Sequence, residues 1–249
     1  MKTTGSHIKR VGLGVLDFLL PPRCPKCSTR IEADGHLCGA CWGQLKPITA
    51  PMCVRCGLPF GAGDFEDAEC GACMREPPGF DWARAAVLYE DEAKSLILGL
   101  KYGGEGAGVP AMARMMAGAL LGQPGMDVIM PVPLHPRRLF ARRFNQSQLI
   151  GRALSRTLAL PMDSFALTRH RATPSQGTLS RKGRKRNVTG AFKVRADGVA
   201  RVKGKRILLV DDVLTTGATA SACGQALRRA GALEVGLIVF ARVRGPAGA

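Results

Sequence analysis

Lys205-Arg206-Ile207-Leu208-Leu209-Val210-Asp211-Asp212-Val213-Leu214-Thr215-Thr216-Gly217-Ala218-Thr219 is the stretch that decides the fold of the larger part of this chain. Ile207 to Val210 are apolar without alternation, which predicts a strand buried on both faces, as in a parallel sheet. Two carboxylates follow, and then a Thr/Gly loop opens a helix expected over residues 218–230. In open α/β sheets ligands collect at the carboxyl ends of the strands, where this order of residues puts Asp211 and the loop. The loop's backbone N–H groups and the helix N-terminus attract a phosphate. Thr215, Thr216 and Thr219 add hydroxyl donors, and Gly217 and Ala218 let the backbone come close. Asp211 and Asp212 would repel a phosphate unless they face a neutral donor. Two neighbouring ribose hydroxyls are such donors, because a carboxylate only accepts hydrogen bonds. The plainer alternative is an ordinary strand followed by Asp and an N-capping Thr.

Outward from this stretch, strands are expected over residues 85–89, 128–132 and 235–240. Helices are expected over 92–101, 110–121 and 145–158, with a Gly-rich loop at 103–108. Residues 169–186 have neither period and are expected to be a mobile loop. Strands alternating with helices imply an α/β fold, a mostly parallel sheet with helices on both faces. The charge is distributed unevenly. The chain has 249 residues and a net charge of +17, and residues 134–206 alone hold nineteen Lys and Arg against two Asp. Such a concentration points to a polyanionic ligand or partner; a solvated basic surface is the plain alternative.

A composition shift near residues 76–79 separates this part from a cysteine-rich one. Eight of the nine cysteines fall before it, as Cys24-x-x-Cys27, Cys38-x-x-Cys41, Cys53-x-x-Cys56 and Cys70-x-x-Cys73. Two such pairs complete a tetrahedral shell of four thiolates, so eight cysteines suit two structural Zn2+ ions. Sequential sharing, first pair with second and third with fourth, needs only short loops. Disulfides would need an oxidising compartment, and a redox-active pair would need a βαβ setting. Chelation is expected to unfold this module and leave the rest at least partly intact. Cys223, in an expected helix, reads as an ordinary buried residue.

Ahead of the first pair, Ile8, Val11, Val15, Phe18 and Leu19 share one helical face, so residues 1–20 are expected to form an amphipathic helix. Asp17 interrupts the apolar run and no small-residue cleavage site follows, which argues against a signal peptide. No stretch has the roughly 18 uncharged apolar residues of a membrane span, and the chain is expected in the cytoplasm. The expected division is thus 1–20, a small module with two zinc sites over 21–76, and an α/β domain over 77–249.

The stretch at 207–219 is similar, position by position, to the phosphoribosyl diphosphate motif of type I phosphoribosyltransferases. The whole chain resembles the ComF family of competence-associated proteins, which join a double zinc ribbon to a type I phosphoribosyltransferase domain. Leu100-Lys101-Tyr102, Pro131-Val132-Pro133-Leu134, Arg143-Phe144-Asn145-Gln146 and Asn187-Val188-Thr189-Gly190-Ala191-Phe192 carry that resemblance together with the cysteines and the loop. One departure is Arg143, where many relatives have Gly. The resemblance implies binding of phosphoribosyl diphosphate with Mg2+. Asp211 and Asp212 would lie on the ribose hydroxyls, Thr215 to Thr219 on the 5′-phosphate, and Leu134-His135-Pro136-Arg137 near the pyrophosphate. It also implies handling of single-stranded DNA in natural transformation, with competence or DNA-processing proteins as partners, and it admits a homodimer.

Two functions use the same loop. An enzyme would transfer the phosphoribosyl group to an acceptor that no segment identifies, with the basic residues 169–186 closing over the pyrophosphate. No catalytic residue can be named. A nucleic-acid-handling protein would bind phosphoribosyl diphosphate as a ligand. It would use Arg137, Arg138, Arg142, Arg143, Arg181, Lys182, Arg184, Lys185 and Arg186 on the phosphates of a DNA strand. Phe140 and Phe144 are the nearest aromatics, so base stacking would be limited. A zinc-ribbon adaptor with a degenerate transferase domain is a third reading, and the intact loop argues against it.

Overall fold

The computed structural model describes residues 21–61, 67–102, 106–172 and 181–244. The amphipathic helix expected over residues 1–20 lies outside the described residues. Two short helices mark the cysteine-rich part, α1 (Gly39–Gly43) and α2 (Gly71–Arg75), and each begins directly after the first cysteine of a pair. There follow β1 (Trp82–Leu88), α3 (Asp91–Tyr102), a 3-10 turn (Gly106–Gly108), α4 (Val109–Gly118) and β2 (Val128–Pro131). Next come α5 (Pro136–Arg142), α6 (Gln146–Leu158), β3 (Leu167–Arg169), α7 (Arg181–Val188) and β4 (Phe192–Val194). A second 3-10 turn (Ala196–Gly198), α8 (Val199–Val202), β5 (Arg206–Leu214), α9 (Ala218–Arg229) and β6 (Glu234–Arg242) complete the order.

The main sheet has the order β1-β6-β5-β2 with every neighbouring pair parallel. β5 is central, and its Ile207, Leu208, Leu209 and Val210 are completely buried. Each such side chain removed from water contributes about 1.5–3 kcal/mol, which is why an uninterrupted apolar run belongs here. Leu208 and Val210 face a layer built on α3, α4 and α6. Ile207 and Leu209 face the opposite layer, with α9 and the small antiparallel pair β3-β4. α9 supplies that layer with Ala220, Cys223, Ala226 and Leu227, spaced for one helical face. This is the mostly parallel sheet with helices on both faces that the alternation of strands and helices implied.

Two expectations are corrected, and one helix was not expected. The strand at 207–210 runs on to Leu214, so the acidic pair lies within a paired strand, with Asp211 in register with Val239. The basic segment after β2 folds into α5, for which Pro136 at the first position is pre-set. The expected loop over 169–186 is partly regular: Arg169 ends β3 and residues 181–188 form α7, while 173–180 lie outside the described residues. α7 escapes a periodicity reading because it is polar on nearly every side, with Val188 its buried anchor against α9. β3 escapes it because three residues are too few to show alternation.

The cysteine-rich part covers the exposed edge of β1. Ile48 donates its N–H to Ala86 O at 3.0 Å, and Leu88 donates to Lys46 O at 2.9 Å, an antiparallel addition to the sheet edge. Ala83 N–H then donates to Arg55 O at 2.7 Å. The first ribbon reaches α4 instead, where the Arg114 guanidinium donates to the carbonyls of Gly35 and Asp34.

Candidate functional site

The carboxyl ends of β2 and β5 diverge from one another around a cavity of about 300 Å³ lined by Leu134, Arg138, Gln146, Ser147, Arg169 and residues 211–219. The two strands stay paired up to this point, Pro131 beside Val210, with Val132 N–H donating to Val210 O at 2.9 Å. Beyond it Pro133 cannot donate to the ladder and the chain turns away. β5 ends at Leu214, Thr215 is exposed, and Gly217 takes φ +76, the left-handed turn that starts α9. Gly217 has no side chain with which to cap α9, so the positive end of the helix dipole is directed at the cavity.

Asp211 is held from two sides. Its Oδ1 accepts the Ser147 hydroxyl at 2.8 Å and the Asp212 N–H at 3.0 Å. Ser147 is placed by Asn145, which caps α6 by accepting the Ser147 N–H at 3.1 Å while its own amide donates to Val132 O at 3.0 Å. The buried run Asn145-Gln146-Ser147 therefore ties the end of β2 to the carboxylate on β5. The Gln146 side-chain amide nitrogen is buried against the cavity without a hydrogen-bond acceptor among the described residues.

Arg169, expected in a closing loop, is buried on β3 with its guanidinium 5.3 Å from the Phe192 ring centroid. Burial and then the like charge of Arg138 lower its pKa, and Asp211 works in the other direction. An arginine remains charged under such a shift, so the cavity floor carries fixed positive charge beside Asp211. Cys223 beneath it is fully buried, and burial followed by Asp211 pushes its thiol well above the usual range. It is an inert core thiol, as its place in a helix suggested.

The other expected residues divide clearly. His135 caps α5, its Nδ1 accepting the Arg137 N–H at 3.2 Å, which is a structural task. Arg138 lines the cavity, whereas Arg137, Arg143 and Arg186 are exposed. The side chains of Arg142, Arg181, Lys182, Arg184 and Lys185 lie outside the described part. Phe140 on α5 is 90% exposed, while Phe144 packs against the core. The sequence reading missed Ser147, and it gave Gln146 no role although Arg143-Phe144-Asn145-Gln146 had been singled out. A short polar run at the start of an otherwise apolar-faced helix was the available signal.

The cysteines form two groups, Cys24, Cys27, Cys38, Cys41 and Cys53, Cys56, Cys70, Cys73, with the sulfurs of each group within 4.8 Å of one another. This is the sequential sharing that short loops favoured. Cys27 and Cys38 sulfurs are 3.5 Å apart, and Cys56 and Cys70 sulfurs 3.6 Å. Thiolates 2.3 Å from a central zinc would be separated by about 3.8 Å, so both groups fit the ion. Backbone N–H groups of Cys56 and Cys70 already point at Cys53 Sγ, at 3.4 and 3.2 Å. A shell of four thiolates leaves no open position, so these are structural sites.

Comparison with known proteins gives a double zinc ribbon domain over residues 15–74 and a phosphoribosyl transferase domain over residues 146–248. The chain is 35% identical over 226 residues to DNA utilization protein YhgH of Escherichia coli, covering 87% of this chain and 95% of that one. It is 30% identical over 229 residues to Competence protein F of Haemophilus influenzae, covering 88% and 96%. Among solved structures it is similar to glutamine phosphoribosylpyrophosphate amidotransferase from B. subtilis, at 21% identity and a TM-score of 0.36 over 53% of this chain and 25% of that one. Among the described residues no helix is long and apolar enough to cross a membrane.

Proposed function

The chain belongs to the ComF family, in which a double zinc ribbon precedes a phosphoribosyltransferase domain, and from that premise we propose that it binds phosphoribosyl diphosphate and handles single-stranded DNA in DNA uptake and utilisation. The observation that carries the ligand is the cavity bounded on one side by Asp211 and on the other by the loop at 215–219. Asp211 and Asp212 accept the two ribose hydroxyls, and Thr215, Thr216, Gly217, Ala218 and Thr219 surround the 5′-phosphate at the N-terminus of α9. Ser147 keeps Asp211 turned toward the sugar. Arg138 and Arg169 supply positive charge to the diphosphate end. Asp211, held by Ser147, and Asp212 beside it fit a ligand that arrives with Mg2+, and that ion would supply charge neutralisation on the pyrophosphate.

Titration calorimetry tests this reading. Phosphoribosyl diphosphate with Mg2+ is expected to bind the wild type, and the double variant Asp211→Ala/Asp212→Ala is expected to lose the heat. Equal heats from both proteins would sink the assignment. Release of pyrophosphate on adding an acceptor would make the same site a transferase site.

The DNA part of the reading rests on the exposed Arg137 and Arg143 at α5 and on the names of the relatives. Arg137 and Arg143 flank Phe140 on α5, which gives a strand both phosphate contacts and one base to stack. Cytoplasmic placement agrees with eight cysteines held as thiols for zinc.

A further inference from the structure

The second cysteine group is part of the sheet domain's core. Cys53, Cys56, Cys70 and Cys73 are all buried, in one cluster with Phe80, Leu88, Leu214 and Cys223. The first group leaves Cys27 exposed and belongs to neither core cluster. Four thiolates around Zn2+ carry two net negative charges, and burying them demands compensation nearby.

The sheet domain supplies it from two neighbouring strands. Arg242, the last residue of β6, is 7% exposed and donates a terminal nitrogen to Cys56 Sγ at 3.1 Å. Arg84 on β1 donates to Val54 O at 2.9 Å and to Ala83 O at 2.8 Å, within electrostatic reach of Cys53 and Cys56. Arg242 is buried with its Nε lacking an acceptor among the described residues, so the contact of its terminal nitrogen with Cys56 Sγ is part of what compensates its burial.

From there the path to the phosphate loop is short. Leu88, Arg242 and Leu214 stand side by side in register across β1, β6 and β5. Val243 N–H donates to Leu214 O at 3.0 Å, and the next residue is Thr215. On the far side of the loop, Gly79 N–H donates to Ser221 Oγ in α9 at 2.8 Å. The Phe80 ring lies against Gly217, at 3.9 Å from where a Cβ would stand. Both flanks of the loop are thus tied to the second ribbon and the residues that follow it.

We infer that the second zinc site is a positioning element of the phosphate loop, with Arg242 as the residue that couples the Cys56 thiolate to the ends of β6 and β5, while the first zinc site is peripheral. This divides the effect of chelation that the sequence suggested. Losing the first ion leaves the sheet domain intact. Losing the second leaves Arg242 and Arg84 facing an empty dianion site and loosens residues 215–217.

The test uses the full zinc-loaded chain. Zinc release to a chromophoric chelator is followed together with hydrogen exchange of peptides covering residues 206–220. Wild type is expected to release one ion quickly with unchanged loop protection, and the second slowly with protection lost at the same rate. Arg242→Met should speed the slow phase by about 10–100-fold and leave the fast one alone, and Arg242→Lys should restore most of the difference. An equal slow phase in wild type and Arg242→Met would overturn the inference. Should that variant fail to fold, the wild type and Arg242→Lys decide. Loop protection that falls with the first ion, or survives the loss of both, overturns the coupling. Neither readout involves phosphoribosyl diphosphate, so failure here and failure of ligand binding are told apart.

Discussion

The Ser147 hydroxyl fixes one Asp211 carboxylate oxygen at 2.8 Å. Removing that hydroxyl takes away one of the donors on this oxygen. A hydrogen bond to a charged carboxylate is worth about 1.5–3 kcal/mol net, so Ser147→Ala is expected to weaken phosphoribosyl diphosphate binding by about 10-fold or more. An unchanged dissociation constant in calorimetry would remove Ser147 from the site. Arg143 shows the opposite relation between residue and backbone. It closes α5 with φ +63, a conformation that costs an L residue with a Cβ free energy and that glycine adopts readily. The position where this chain departs from many relatives is therefore a position where glycine fits the turn. Arg143→Gly is expected to raise stability by about 1 kcal/mol in urea unfolding, and a lower midpoint would contradict this account. The same variant removes one exposed cation beside Phe140.

At the scale of elements, the two ribbons begin with the same turn and differ in what it rests on. Cys24 N–H donates to Thr29 O and Cys53 N–H to Leu58 O, both at 2.8 Å, and the residue after each second cysteine is left-handed, Ser28 at φ 61 and Gly57 at φ 65. Ser28 stands at the surface, so Ser28→Gly is expected to be neutral or slightly stabilising. Gly57 faces β1, where a Cβ would come to 2.6 Å from Ala83 O. Gly57→Ala therefore combines backbone strain with a clash against main chain and is expected to cost about 2–4 kcal/mol, read by thermal unfolding and by zinc retained after dialysis. A variant as stable as wild type would show that the second ribbon is not seated on β1. The four pairs and their sequential sharing were legible, because a Cys-x-x-Cys turn is local. The seat of the second ribbon was not, since Gly57 and Ala83 are brought together only by the sheet edge.

For the whole molecule the governing quantity is the charge of +17, all of which is matched by the excess within residues 134–206. Folding divides that segment among α5, α6, the β3-β4 pair and α7, and it turns Arg169 inward while Arg137, Arg143 and Arg186 stay outside. If single-stranded DNA runs over α7, each phosphate contact contributes about 0.7 to the slope of log affinity against log salt. Neutralising Arg181, Lys182, Arg184, Lys185 and Arg186 is then expected to reduce that slope by up to about 3.5 in anisotropy titrations. An unchanged slope would take α7 out of the DNA surface. The sequence by itself determined the features carried by neighbouring residues: the buried strand at 207–210, the acidic pair, the Thr/Gly loop and the two sets of four cysteines. Strand burial, turn chemistry and ligand spacing act over a few residues, so their signals survive in one dimension. Only the tertiary structure decided that Ser147 holds Asp211, that Arg169 is a buried cation on the cavity floor, and that Arg242 meets Cys56 across 186 residues of chain. Those contacts join α6 to β5, set β3 against the cavity and bring the end of β6 to the second ribbon, and no local pattern records which side chains such an assembly brings together.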